Sequence, residues 1–170
     1  ENPHQKGVFF GDLDRSFVQL HGNEISYNNL LDIESAINLI DEFDDVTCAI
    51  IKHNNACGVA SRPALKEAWQ DALACDPVSA YGGGVIVNRE VDEIAAAEMD
   101  KLFLEVVMAP SFTPGAVKIL SSKKNRIILQ RRSTGNDRVS FRSMLGGVLW
   151  QERDSSTEEA SGMRPVTTRQ

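Results

Sequence analysis

The chain has 170 residues, 42% hydrophobic and 25% charged, the composition of a globular protein long enough to bury a core. Its net charge of -6 argues against a nucleic-acid binder, which carries a basic face, while leaving room for a small anion held by a local Lys/Arg cluster. No apolar run reaches the ~20 residues that span a bilayer, nothing at the start resembles a signal peptide, and Cys48, Cys57 and Cys75 form no disulfide framework, which fits reduced thiols in the cytoplasm.

In chain order, "ENPHQKG" begins with polar residues that read as the middle of a loop. Asn28 to Phe43 has a helical period, with Leu30, Ile33, Ile37 and Ile40 on one side and Ser26 or Asn28 as cap. "VTCAIIK" (Val46 to Lys52) is a short β-branched run, as in a strand covered on both faces. The residues from Asn54 to Gly58 read as a loop. Ser61 and Pro63 then open a second helix carrying Leu65, Ala68, Trp69, Ala72 and Leu73, which Asp76–Pro77 ends. "GGGVIVN" is a glycine turn into a strand from Val85 to Asn88. A third helix over roughly Val91 to Leu102, the strand "LEVVMAP", a fourth helix over roughly Thr113 to Ser122 and the strand "RIILQ" follow. "VSFRSMLGGVLWQ" offers one more strand, while residues 131–138 and the last fifteen or so read as loop and tail.

This alternation predicts an α/β fold with three layers, α/β/α, around a mostly parallel mixed sheet. The expected division is an N-terminal loop/strand segment over 1–27, the α/β domain over 28–150, and a polar tail or linker over 151–170. The polar ends also suggest a fragment of a longer chain. In parallel sheets ligands bind beyond the carboxyl ends of strands, which would gather Lys52, His53, Ala109 and Pro110 at one crevice.

The densest set of reactive side chains is "IIKHNNACGVA", Ile50 to Ala60. His53 and Cys57 could be two zinc ligands, but a site needs three or four and no C-x-x-C, H-x-E or P-C-x-x-C accompanies them. Cys57 could be a nucleophile activated by His53, although a cysteine beside a glycine is more often a packing residue. The noncovalent reading makes His53 a general base or acid, with Lys52 as cationic partner for an anion or a developing oxyanion. The plain alternative is a loop histidine bonded to backbone. "SAYGGG" (Ser79 to Gly84) lacks the ending of a P-loop, yet its glycines admit close approach of a ligand and Tyr81 offers a ring for stacking. "SYNNL" reads first as a helix cap, though its asparagines could read an amide-bearing ligand. His4 in isolation is a loop residue.

Taken together, "ENPHQ", "ISYNNLLD", "IIKHNNACGVA", "DALACDPVSAYGGG", "EVVMAPSF" and "SMLGGVLWQERD" resemble one family, in its order and rough spacing, over nearly the whole chain. That family is AICAR transformylase, the formyltransferase part of the bifunctional purine-biosynthesis enzyme that also carries IMP cyclohydrolase. The resemblance implies a transferase that moves a formyl group from 10-formyltetrahydrofolate, a co-substrate, to the 5-amino group of AICAR ribotide in IMP biosynthesis. It implies His53 as proton-transfer residue, Lys52 as its assistant and substrate ligand, Asn29 close to the site, and Tyr81 and Gly82 against the substrate. It implies no metal. The implied fold is cytidine-deaminase-like, duplicated in the family, with a homodimer whose active site draws on the second half and a second subunit.

The sequence departs from the family in three places. The R-Y-G that commonly precedes N-P-H-Q is not in this chain. Ala56 stands where proline often precedes the cysteine, and Tyr81 where phenylalanine is usual, so its hydroxyl needs a partner or water. The expectation is a cytoplasmic transformylase fragment that is inactive alone, without nucleic-acid or membrane partners. The alternative is a non-catalytic nucleotide-binding or assembly module of the same fold.

Overall fold

The computed structural model describes residues 4–132, 139–154, 156, 160–164 and 166. Glu1 to Pro3 of "ENPHQ", most of the 131–138 loop and much of the expected tail lie outside the described residues. The chain divides into two compact units, Glu1–Ser133 and Thr134–Gln170.

The first unit holds β1 (Phe17–His21), α1 (Tyr27–Ile40), β2 (Thr47–Lys52), β3 (Asn55–Ser61), α2 (Leu65–Cys75), α3 (Pro77–Ala80), β4 (Gly84–Val87), α4 (Glu93–Met99), β5 (Val106–Ala109), α5 (Pro114–Leu120) and β6 (Ile127–Arg131). Its six strands form one mixed sheet in the order β1-β6-β5-β4-β2-β3. The centre, β4-β5-β6, is parallel, and the flanks are antiparallel: β1 against β6, and β2 against both β4 and β3.

Alternation along the strands sorts the core into two faces. Ala49, Ile51, Ile86, Val106 and Met108 pack with Ile33, Ala36 and Ile40 of α1 on one side. Cys48, Ile50, Val85, Val87 and Val107 pack with Trp69, Ala95, Met99 and Leu120 from α2, α4 and α5 on the other. Fully burying an isoleucine such as Ile40 is worth about 1.5–3 kcal/mol over leaving it in water, so α1 is held chiefly by this stripe. The first unit is therefore an α/β fold of three layers, helix, sheet, helix.

Every helix of the first unit except α2, which Ala64 precedes, begins where a side chain can take up its orphan amides. Ser26 and Asn29 form a reciprocal capping box on α1. Asp92 accepts from Ala95 N–H at 2.8 Å, and Thr113 from Ala116 N–H at 3.2 Å with Pro114 in the first turn.

Two sequence expectations change here. The stretch after His53 is not a loop: Lys52 pairs with Asn55, so only His53 and Asn54 turn the chain, and Cys57 and Gly58 lie within β3. Gly58 is needed for packing, not for a turn, because a Cβ there would fall 1.9 Å from the Ala72 carbonyl oxygen of α2. Second, β2 runs antiparallel to β4, with Ile51 opposite Gly84. Lys52 and His53 therefore stand beside the amino ends of β4 and β5, and Ala109 and Pro110 lie at the opposite end of the sheet. A buried apolar run carries no mark of its direction, so the carboxyl-end rule was applied to a strand that runs the other way.

In the second unit, "VSFRSMLGGVLWQ" makes two strands, β7 (Val139–Met144) and β8 (Gly147–Glu152), paired antiparallel with each other. Leu145 and Gly146, at φ 52° and 76°, form their turn.

Candidate active site

The amino ends of β4 and β5, the carboxyl end of β2 and the first turns of α1 converge on a cleft. Its lining includes Asn29, Asp32, Ile33, Ala36, Ile51, Gly82, Gly84, Glu105 and Val106. The floor is apolar, while an amide and two carboxylates stand at the rim. An apolar cavity with a few convergent polar groups is what small-molecule sites share.

Asn29 enters through its capping role. Its Oδ1 accepts from Ser26 N–H at 3.2 Å, and its Nδ2 donates to Glu105 Oε2 at 3.1 Å. One side chain thus closes the α1 cap and ties it to the start of β5.

Lys52 is half-buried, and its Nζ donates to the Tyr81 carbonyl at 2.7 Å. That bond joins the end of β2 to the turn following α3. The turn itself is held by Gly82 N–H donating to Phe103 O at 2.8 Å and Glu105 N–H donating to Gly83 O at 3.0 Å. Gly82 sits at φ 74°, a conformation that L side chains avoid. The exposed Tyr81 ring lies 5.3 Å from that of Phe103, tilted by 43°.

His53 and Asn54 form a two-residue hairpin turn, both at positive φ, 54° and 63°. Such turns favour Asn-Gly or Gly-Gly, so two side-chain-bearing residues here are held by their surroundings. Asn54 N–H donates to Asp32 Oδ1 at 2.7 Å, and Asn55 Nδ2 donates to the His53 carbonyl at 2.9 Å. The imidazole is exposed and makes no hydrogen bond or ion pair among the described residues.

The structure thus brings Lys52, Tyr81, Gly82 and Asn29 to one end of the sheet, with His53 next to Lys52 on the turn. Sequence reasoning missed Asp32 and Glu105. Both lay inside quoted motifs, Asp32 ending "ISYNNLLD" and Glu105 opening "EVVMAPSF", but neither was singled out there.

Cys57 packs beside the α2 core, and its thiol is pushed up by burial and by Asp76, with Lys52 opposing. A raised thiol is a poorer source of thiolate, the reactive form. Burial likewise pushes the Cys48 thiol far up. Among the described residues no group of three or more His, Cys, Asp or Glu is placed to hold a metal ion. No described helix is long and apolar enough to cross a membrane.

The family of the AICARFT/IMPCHase bienzyme matches residues 1–170, from end to end. The chain belongs to that family. Among curated relatives named bifunctional purine biosynthesis protein PurH, the one from Bacteroides thetaiotaomicron is 56% identical over 167 residues, 98% of this chain and 33% of the relative. Those from Chloroflexus aurantiacus and Acetivibrio thermocellus are 47% and 42% identical, over 99% and 98% of this chain and 34% of each relative. The chain spans about a third of the length of the curated relatives it matches. Family membership accounts for the order of the motifs, and the cleft gathers four of them: those carrying Asn29, Lys52, Gly82 and Glu105.

Proposed function

We propose that this chain carries part of the formyl-transfer site of an AICAR transformylase. The observation that supports it most is the placement of Lys52 and His53. They stand at a clamped turn beside a cleft that holds Asn29 and Gly82, in a chain matched end to end by the family.

In this reading AICAR ribotide and 10-formyltetrahydrofolate meet at the cleft, with Tyr81 and Gly82 against the substrate and Asn29 nearby. The 5-amino group of AICAR is a weak nucleophile, because its lone pair is drawn into the ring, so its attack on the formyl carbon needs a base. His53 accepts the proton released from that amine. Lys52 binds substrate and offsets the negative charge that develops on the formyl oxygen. The bond from formyl carbon to folate N10 breaks, N10 leaves with a proton, and the products are the formamido ribotide and tetrahydrofolate. No covalent intermediate enters, which agrees with the raised thiol of Cys57.

The relatives are about three times as long as this chain, and the rest of the site is assigned to that additional length and to a second subunit of a cytoplasmic homodimer. The test is an assay with both substrates, on this chain alone and on a protein of the relatives' full length that carries it. Transfer only by the long protein is expected. Calorimetry that shows AICAR ribotide binding without turnover in the long protein would instead favour a non-catalytic binding module.

A further inference from the structure

We infer that Asp32 is a positioning residue for His53, acting through the backbone of the hairpin turn. The inference rests on the reading of His53 as the proton-transfer residue. The imidazole has no hydrogen-bonding partner among the described residues, so no side-chain contact of its own fixes its direction. The backbone on which it stands sets where its Cβ points, and with it the region the ring can reach.

That backbone is unusual. His53 and Asn54 both lie in the left-handed region, which asparagine tolerates but which costs a residue with a longer side chain such as His53 free energy that the surroundings must offset. In a two-residue hairpin the amide of the second turn residue lies outside the strand ladder and must find an acceptor elsewhere. Here it finds the Asp32 carboxylate of α1, at 2.7 Å, a short bond strengthened by charge. In the amide orientation that satisfies both of its ends, Asn54 adds a second hold: its side-chain nitrogen donates to Leu31 O at 3.0 Å and to Asp32 Oδ1 at 3.2 Å. Asp32 thereby receives both nitrogens of one residue and fastens the turn to a helix whose stripe is buried in the core.

The geometry also shows why the clamp comes from α1. Asp32 follows Asn29 by three residues, on the same side of the helix, and both line the cleft. One rigid helix thus sets the rim through Asn29 and the turn through Asp32. A displacement of about 1 Å at a reacting group can cost a hundredfold in rate, so releasing the turn is expected to appear in turnover before it appears in binding.

The test uses Asp32→Ala and Asp32→Asn in a protein of the relatives' full length. Asp32→Asn keeps an oxygen acceptor in the same place. Asp32→Ala is expected to lower kcat by about 10- to 100-fold with KM for AICAR ribotide within about threefold, and Asp32→Asn to restore kcat to within about threefold of the unsubstituted protein. Unchanged kcat in Asp32→Ala, or an equal loss in both variants, overturns the inference. A further arm needs neither activity nor a folded variant. In the unsubstituted protein the Asn54 amide is expected to exchange with deuterium at least about tenfold more slowly than the His53 amide, which has no acceptor among the described residues. Equal exchange at the two amides overturns the clamp. If the protein transfers no formyl group but Asn54 is protected, the functional reading fails and the clamp stands.

Discussion

Where β2 begins, Thr47, Ser61 and Asn88 close on one another. Thr47 N–H donates to Asn88 Oδ1 at 2.8 Å, and the two hydroxyls of Thr47 and Ser61 lie 2.7 Å apart. Asn88 Nδ2 is shared between the carbonyls of Phe43 and Asp45. Where β2 ends, about 17 Å away for a six-residue strand, Lys52, His53, Asn29, Asp32 and Glu105 form a second polar cluster around the cleft. Asn29 is tied at both ends of its amide, to Ser26 and to Glu105, while the imidazole has no partner among the described residues. The first cluster spends its hydrogen-bonding capacity on the fold. The second retains groups that face outward, beside two left-handed residues that the fold must hold in place. If the proposed function holds, the polar residues gathered at the two ends of β2 divide between stability and chemistry according to whether their partners lie inside the protein.

The contrast can be broken by substitution at either end. Asn88→Ala removes the acceptor of a fully buried threonine amide and the donor to two loop carbonyls. It is expected to destabilise the sheet by about 2–3 kcal/mol, read as faster hydrogen exchange at Cys48 to Ile51. The kcat of a full-length protein carrying this chain is expected to stay within about twofold. A large loss of kcat with unchanged exchange would mean that both ends serve the reaction.

A smaller effect sharpens the boundary of the second cluster. Cys57 lies in β3, three residues beyond Asn54, with its thiol raised above the ordinary range by burial and by Asp76, and lowered in part by Lys52. Raising a thiol's pKa delays the thiolate, so alkylation of Cys57 by iodoacetamide is expected to have a midpoint above the ordinary ~8.5. Below that pH the thiol stays protonated and slow; above it the rate rises. Lys52→Met removes the one opposing charge and is expected to move the midpoint further up. A midpoint below the ordinary value would restore Cys57 as a candidate nucleophile.

Much of the first unit was legible because helices and buried strands impose different periods. The Ile33–Ile37–Ile40 stripe and the Ser26 cap mark α1, and continuous apolar runs mark β2, β5 and β6. Strand direction was not legible, since "TCAIIK" reads alike whichever way its neighbours run. Gly58 was taken for part of a loop because a glycine required by close approach to Ala72 looks, in sequence, like one required by a turn. The positions of Lys52 and His53 followed from the end of an apolar run. Their partners did not, because Tyr81 is 29 residues from Lys52 in sequence, Asp32 is 22 from Asn54, and Glu105 is 76 from Asn29. Only folding brings such pairs together, and a lone aspartate on a helix face carries no mark of what it will hold.

The central claim, that the open cluster carries the chemistry and the closed one the fold, is tested most directly at His53. Asparagine tolerates the left-handed region, so His53→Asn preserves the turn while removing the imidazole. The account predicts that kcat in a full-length protein falls by about 10²–10⁴-fold, with AICAR ribotide affinity within a few-fold and strand hydrogen exchange unchanged. Turnover near that of the unsubstituted protein would contradict it.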